Sequence, residues 1–297
     1  MIVRSSFQWY NFTDLKTYKN KANERRDRMI KNKKLFLLDI DGTVCRGECL
    51  IDGSIEFFNA LKTYGGKYVF ITNNTTKSVK DYICLFDRLG VETDESNFIT
   101  ASHVTVKYLK ENYKRGLIYV MGTKSFKEEL MDNGVKITTD CNDENISCVL
   151  VAYNNELTYN EITDTCRILS KHGVDYIATN PDMVCPSDFG FVPDCGSICQ
   201  MIEHAVKRKP IFIGKPEPAI VDMAVSLNNC TKAETIVVGD RLYTDILCGY
   251  NSKVDTALVL TGEATKEDAM GYMCKPNYIF KSIRELYNEW AFEFTKN

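Results

Sequence analysis

Short runs of purely apolar residues, each stopped by Asp, Asn, Thr or Gly, alternate along this chain with stretches of helical period. Leu35–Leu38 runs into Asp39, and Tyr68–Ile71 runs into Thr72-Asn73-Asn74. A segment apolar at every position has no face to offer to water, so these read as strands buried on both sides. Between them Ile55, Phe57, Phe58 and Leu61 fall at helical spacing before Gly65-Gly66, and Lys77–Leu89 reads as a helix stopped by Gly90. A short strand at Phe98–Thr100 and a helix over Ser102–Asn112 follow. This β-α-β-α order predicts an α/β fold with a doubly wound parallel sheet.

The middle of the chain repeats the alternation with weaker polar stops. Strands are expected at Leu117–Met121, Cys148–Tyr153 and Asp175–Thr179, and helices at Lys124–Asn133, Tyr159–His172 and Gly196–Val206. The last third returns to strong signals. A strand from Ile211 ends at Gly214-Lys215-Pro216, a helix covers Pro218–Leu227, Thr235–Gly239 runs into Asp240, and Ala257–Leu260 is one more strand. No repeat of fixed period is visible.

Four polar clusters therefore stand at the carboxyl ends of expected strands: Asp39/Asp41/Thr43, Thr72/Asn73, Lys215 and Asp240/Asp245. In an open parallel sheet that edge is where ligands bind, and strand ends far apart in sequence converge there. Carboxylates gathered in one pocket repel unless a cation neutralises them. All-oxygen ligation with few protein ligands suits Mg²⁺, which shares its coordination shell with phosphate oxygens. A lysine among acids suits a phosphate dianion. A carboxylate can attack phosphorus to give an aspartyl phosphate, and a second carboxyl two residues on can protonate the leaving oxygen and then activate water. Gly42 would let the backbone approach the phosphate closely.

Composition narrows the class. The 297 residues allow one large domain or two ordinary ones, and 44% hydrophobic with 26% charged residues is a globular balance. The longest apolar runs are strand-length, far short of the ~18 residues of a membrane helix, and the first 34 residues are polar and basic rather than a secretory leader. Residues 1–34 hold ten Lys/Arg against three Asp/Glu, whereas the chain as a whole carries 37 against 40. Residues 1–33 thus read as a basic N-terminal extension on an acidic body, and an acidic body argues against nucleic-acid binding. Twelve scattered cysteines without a C-x-x-C pair read as reduced thiols of a cytoplasmic protein rather than a zinc site or a disulfide frame. His103, His172 and His204 read as structural or exposed residues.

At the polar clusters the chain resembles the haloacid dehalogenase superfamily. Asp39-Ile-Asp41-Gly42-Thr43, Thr72-Asn-Asn, Gly214-Lys215-Pro216 and Gly239-Asp240-Arg241-Leu-Tyr-Thr-Asp245 stand in the order and spacing of its four motifs. Thr72-Asn-Asn-Thr-Thr-Lys-Ser78, Asn180-Pro-Asp182, Gly214-Lys-Pro-Glu-Pro218 and Leu258-Val-Leu-Thr-Gly262 resemble the p-nitrophenylphosphatase-like branch, which includes phosphoglycolate and pyridoxal-phosphate phosphatases. The resemblance covers about residues 34–285. It implies a Rossmann-like catalytic core over 34–112 and 209–297 and an inserted α/β cap over 113–208. By position, Asp39 would be the nucleophile and a Mg²⁺ ligand. Asp41 would be the general acid/base and offer its carbonyl to the metal. Gly42, Thr43, Thr72 and Asn73 would hold the phosphate, and Lys215 would pair with both nucleophile and phosphate. Asp240 would bind the metal directly, and Asp245 would support it. The cap loop near Asn180–Ser187 would face the substrate, with Asp182 and Cys185 as candidate contacts. A Mg²⁺-dependent hydrolase of small phosphorylated metabolites is the implied activity, and the branch also allows a homodimer through the cap. A phosphotransferase, or a non-hydrolytic phosphoacceptor or binding protein on the same fold, is the alternative. Three positions depart from the pattern: Asn154 stands where relatives often carry Asp, Asp194 where they usually carry Gly, and the glycine expected near Ser252-Lys253 is missing.

Overall fold

The computed structural model describes residues 30–187 and 189–292; the basic segment over 1–29 lies outside them. Six parallel strands form the first sheet, in the spatial order Tyr278–Phe280, Asp255–Val259, Thr235–Gly239, Leu35–Leu38, Lys67–Thr72 and Phe98–Thr100. The strand that comes first in sequence lies inside the sheet. The chain goes to one side of it for the next two strands and to the other side for the last three. Asp39 therefore sits where the winding reverses, the place where an open parallel sheet leaves a crevice between diverging loops.

Side chains of a strand alternate between faces, and here both faces are buried. Phe36 and Leu38 enter one cluster, with helices Ser54–Thr63, Val79–Arg88 and Ile283–Ala291 packed over it. Leu35 and Leu37 enter the other, under helices Ala101–Asn112 and Ala219–Leu227. The first cluster is rich in aromatic rings that meet edge to face: Phe36 lies 5.1 Å from Phe57 and 5.6 Å from Trp290 between centroids. The expected helix over Lys77–Leu89 starts at Val79, because Ser78 caps it and Asp81 bonds back to the Ser78 N–H.

Five parallel strands form a second sheet, in the order Ile211–Phe212, Asp175–Ala178, Ile146–Val151, Leu117–Met121 and Ile137–Thr138. It too is covered on both faces, by one cluster around Val149, Val151, Ile168 and Ile202 and another around Val120, Leu130, Leu150 and Phe126. This is the inserted α/β cap of an α/β protein. A hairpin not foreseen from the sequence, Val184–Ser187 with Gly190–Pro193, extends from it. The two short strands carry Pro186 and Pro193 and lack the apolar run that marked the others.

Two expectations change. The strand at Ile211 does not join the sheet of Asp39; it is two residues long and pairs with Ile177 and Ala178 at the edge of the second sheet. Both flanks of Leu35–Leu38 are occupied, by Thr235–Gly239 and Lys67–Thr72. At the N-terminus, packing begins before residue 34: Ile30 is buried in the aromatic cluster, and Lys33 is bonded to Asp255 (2.7 Å) and the Ala233 carbonyl (2.6 Å). No helix among the described residues is long and apolar enough to cross a membrane.

The missing glycine has a local consequence. Lys253 ends the helix Leu247–Ser252 in the left-handed region, at φ 59°, where a Cβ is crowded by the following carbonyl. Lys253→Gly should relieve that crowding and raise stability by about 0.5–1 kcal/mol, somewhat offset by the freer unfolded chain. Urea unfolding of the two proteins would measure it, and equal or lower stability of the variant would contradict the account.

Candidate active site

Three neighbouring strands of the first sheet deliver three of the four clusters to one place. Asp39 follows Leu38, Thr72 closes its own strand, and Asp240 follows Gly239. The fourth comes from the cap side. After Phe212 the chain keeps to the strand beside it: the Ile213 N–H donates to the Ala178 carbonyl (3.0 Å) and the Gly214 N–H to the Thr179 carbonyl (2.7 Å), which brings Lys215 to the carboxyl ends of the core strands. Lys215 is 2% exposed. Its Nζ donates to Asp39 Oδ1 (2.6 Å), Asp245 Oδ1 (2.7 Å) and the Ile71 carbonyl (3.0 Å). All three ammonium protons are used, as burial of a charge requires. Burial alone would favour the neutral amine, but the two carboxylates outweigh it and hold the ammonium well above its ordinary range.

Asp245 reaches this point through a π-helical turn, Leu242–Ile246. Its carboxyl group occupies the space beside Gly239, where a Cβ would stand 2.2 Å from the Asp245 Cγ. Gly239 is thus required by volume. Gly42 is required by both conformation and volume. It has φ 89°, and a Cβ would lie 2.7 Å from Asp240 Oδ2. On the side where a Cβ would point, the neighbour Gly42 makes room for is the Asp240 carboxylate.

Carboxylate oxygens of Asp39, Asp240 and Asp245 lie within 4.8 Å of one another. Three carboxylates against one ammonium leave two negative charges unbalanced when all are ionised. Burial, and then the neighbouring Asp245, push the Asp240 carboxyl up to about 7. Burial likewise raises Asp39, with Lys215 opposing and Asp245 and Asp240 adding to it. Asp240 Oδ2 accepts from the Glu263 N–H (2.7 Å), while its Oδ1 is buried without a partner. An orphaned anionic oxygen in an excess of negative charge is what a divalent cation would satisfy. Of the three acids Asp39 is the least covered, at 9% exposed against 1% for each of the others.

A cavity of about 20 Å³ opens above Asp39, lined among others by Asp41, Thr72, Asn74, Cys185, Asp194 and Arg241. It has room for about one water. Asp41 is half-buried on its wall. Thr72 Oγ1 accepts from the Asn74 N–H (3.1 Å), and Thr43 is fully buried with its hydroxyl unpartnered. Asn73 spends its side chain on the protein: Oδ1 accepts from the Lys215 N–H (2.9 Å), and Nδ2 donates to the Lys215 carbonyl (3.0 Å) and to Asp182 (2.7 Å). Asp182 and Cys185, both expected to face substrate, both line the cavity. Asp182 is 1% exposed and has both oxygens engaged by protein donors. Burial, and then the charge of Asp41, push the Cys185 thiol up to about 12, so it stays protonated.

Two residues of the site carried no role in the sequence reading. Arg241 stood inside the fourth motif, and its place directly after Asp240 was the available signal. Its Nη1 donates to Asp182 (2.5 Å), its Nη2 to the Val184 carbonyl (3.1 Å), and its Nε lies 2.9 Å from Glu263. Asp194, noted only as a departure, lies in the cavity wall and caps the helix Cys195–Val206, accepting from the Cys195 N–H (2.5 Å) and Asn180 (3.1 Å). Burial, and then Asp182, raise its carboxyl to about 7. Of the other departures, Asn154 is buried and accepts from the Glu156 N–H (2.9 Å), at a turn of the cap.

The chain is similar to known proteins over most of its length. A family model described as haloacid dehalogenase-like hydrolase matches residues 36–136, and one described as HAD-hydrolase-like matches 212–286. The acid sugar phosphatase of Staphylococcus saprophyticus is 30% identical over 260 residues, covering 88% of this chain and 99% of that protein. The 5′-nucleotidase YutF of Bacillus subtilis is 32% identical over 259 residues, covering 86% and 98%. The crystal structure of a 4-nitrophenylphosphatase from Thermotoga maritima superposes with a TM-score of 0.81 at 36% identity, over 88% of this chain and 98% of that one.

The raised carboxyl of Asp240 has a signed consequence for stability. An unfolded Asp titrates near its ordinary value of about 4. In the folded, chelator-treated protein the group keeps its proton up to about pH 7. Its stabilising contribution is therefore full below about pH 4 and is lost as pH rises through 7. The thermal midpoint of chelated protein should fall from pH 5.5 to pH 8, and Asp240→Asn should flatten that fall. An equal slope in wild type and variant would refute the assignment.

Proposed function

The chain belongs to the haloacid dehalogenase-like hydrolases and is a phosphatase of that family, and from that premise we propose a Mg²⁺-dependent phosphomonoesterase for small phosphorylated metabolites that works through an aspartyl phosphate on Asp39. The observation that carries this reading is the buried Lys215 ammonium held between Asp39 and Asp245 directly beneath the cavity. A carboxylate fixed by a cation, and less covered than its neighbours, is ready to attack rather than to wander.

The steps follow from these groups. An Asp39 carboxylate oxygen attacks the phosphorus as the ester P–O bond breaks. The leaving alkoxide takes a proton from the Asp41 carboxyl. Asp41, now a base, removes a proton from a water that attacks the phosphoaspartate, releasing phosphate and restoring Asp39. Lys215 balances negative charge on Asp39 and the transferred group, and Thr72 with the backbone near Asn73 holds the phosphate oxygens, because the Gly42 and Thr43 N–H groups already donate to the Cys45 (2.7 Å) and Ile40 (3.3 Å) carbonyls. Asp39 and Asp240, with the Asp41 carbonyl, would hold Mg²⁺, supported by Asp245. When bound, the ion neutralises the surplus negative charge and polarises the phosphoryl group.

The catalytic core is assigned to 34–112 and 209–297 and the cap to about 113–208, with Ile211–Phe212 as an added edge of the cap sheet. The cavity under this cap is too small for a phosphate ester, so the cap lifts for substrate and closes to exclude water. A roofed site favours compact substrates. Relatives named acid sugar phosphatase and 5′-nucleotidase support sugar phosphates, with nucleoside monophosphates as the next class to assay.

Phosphate release from p-nitrophenyl phosphate should require Mg²⁺ and fall by at least ~1,000-fold in Asp39→Asn, which removes the nucleophile. Asp41→Asn should slow turnover and let phosphorylated protein accumulate from a ³²P-labelled substrate. Release without Mg²⁺, or an active Asp39→Asn, would refute the mechanism. Transfer of phosphate to an added alcohol without free phosphate would favour a phosphotransferase.

A further inference from the structure

Asp182 is the best-connected carboxylate between the two sheets. It stands in the cap, beyond strand Asp175–Ala178, and is almost fully buried. Its Oδ2 accepts from Asn73 (2.7 Å) and Asn180 (2.9 Å), and its Oδ1 from Arg241 (2.5 Å). Two paths lead from it into the core. Through Asn73 it reaches Lys215, because the same Asn73 amide grips both the N–H (2.9 Å) and the carbonyl (3.0 Å) of the lysine. Through Arg241 it reaches the acids. The Arg241 N–H donates to Asp245 Oδ2 (3.1 Å), and the Arg241 guanidinium lies 2.9 Å from Glu263, whose N–H donates to Asp240 (2.7 Å).

We propose that Asp182 and Arg241 are positioning residues that make the alignment of Lys215 and of the Asp240/Asp245 pair depend on the cap being seated. A buried, hydrogen-bonded network of this kind has discrete arrangements rather than a soft continuum. With the cap down, Asn73 is held from both sides and fixes the lysine backbone. With the cap raised, Asp182 leaves, Asn73 loses its second anchor and Arg241 loses a buried counter-charge. The reacting groups are then fully registered only under a closed roof, when water is already excluded. Asp182 acts through Asn73 and Arg241 and does not touch the substrate. This inference rests on the phosphatase reading above.

The test is a double-mutant cycle in the full chain: wild type, Asp182→Ala, Asn73→Ala and the double variant, assayed with p-nitrophenyl phosphate and Mg²⁺, with thermal midpoints for each. Misplacement on the scale of an ångström costs about 100-fold. Asp182→Ala should lower kcat about 10- to 100-fold and change KM less than about threefold, and the double variant should lose clearly less than the product of the two single losses, the remainder being the path through Arg241. A loss confined to KM would make Asp182 a substrate contact. Losses that multiply, or a lower midpoint with unchanged kcat, would make it merely structural. Each of these overturns the proposal. Should Asp182→Ala fail to fold, Asp182→Asn carries the same cycle, since it keeps an acceptor for Asn73 and drops the charge opposite Arg241. A wild type without turnover would sink the phosphatase reading itself; an active wild type with multiplying losses sinks only this inference.

Discussion

An ammonium ion taken out of water must find its full charge and three acceptors inside the protein. Lys215 meets that requirement with Asp39, Asp245 and the Ile71 carbonyl, and much of the architecture follows from it. Asp39 and Ile71 belong to adjacent strands, Asp245 to the turn after the next strand over, and Lys215 to the segment returning from the cap. One cation therefore ties together four separate stretches of chain. Removing it would leave paired acids beside Asp240 in a buried site, where their repulsion is least screened.

Volume enforces the same arrangement. Gly239 leaves room for the Asp245 carboxyl, Gly42 for Asp240, and Gly214 for the Asn73 amide, 2.6 Å from where its Cβ would be. The glycines of three motifs thus have one function in common: each lets a polar side chain occupy space beside the backbone. That explains why acids can crowd here without distorting the sheet. The arrangement also leaves two negative charges in surplus when all three acids are ionised, the amount that one divalent cation would neutralise.

The cap adds a second level. Its sheet is separate from that of the core, but one of its two hydrophobic clusters is shared: Val106 and Leu109 of the core helix Ala101–Asn112 pack into it beside Val120 and Leu130. Contact between them at the site is polar: Asp182 with Asn73 and Arg241, and Arg241 with the Val184 carbonyl. Polar contacts can be exchanged for water at modest cost, whereas apolar ones cannot. The polar site is therefore where cap and core are least firmly joined, while the apolar seam along helix Ala101–Asn112 holds them together.

The longer strands, their parallel order and the four polar clusters were legible in the sequence because each depends on local pattern; the short edge strands Ile137–Thr138 and Tyr278–Phe280 were not. An all-apolar run forces burial on both faces, and a polar residue that ends such a run must lie at the sheet edge. Leu35–Leu38 with Asp39, and Thr235–Gly239 with Asp240, needed nothing more. The hairpin at Val184–Ser187 carried no such pattern and was not foreseen. Nor was the placement of Ile211–Phe212, two residues whose pattern suits either sheet and which pair with Ile177 and Ala178. Partners were equally invisible: no spacing along the chain links Asp182 to Asn73, or Arg241 to Asp182, since hydrogen bonds between residues 59 to 109 apart exist only once both layers are packed. The sequence by itself determined which chemical groups line the site. Tertiary packing decided which of them face the cavity and which are consumed in holding the others, because burial and donor geometry are properties of the assembled fold.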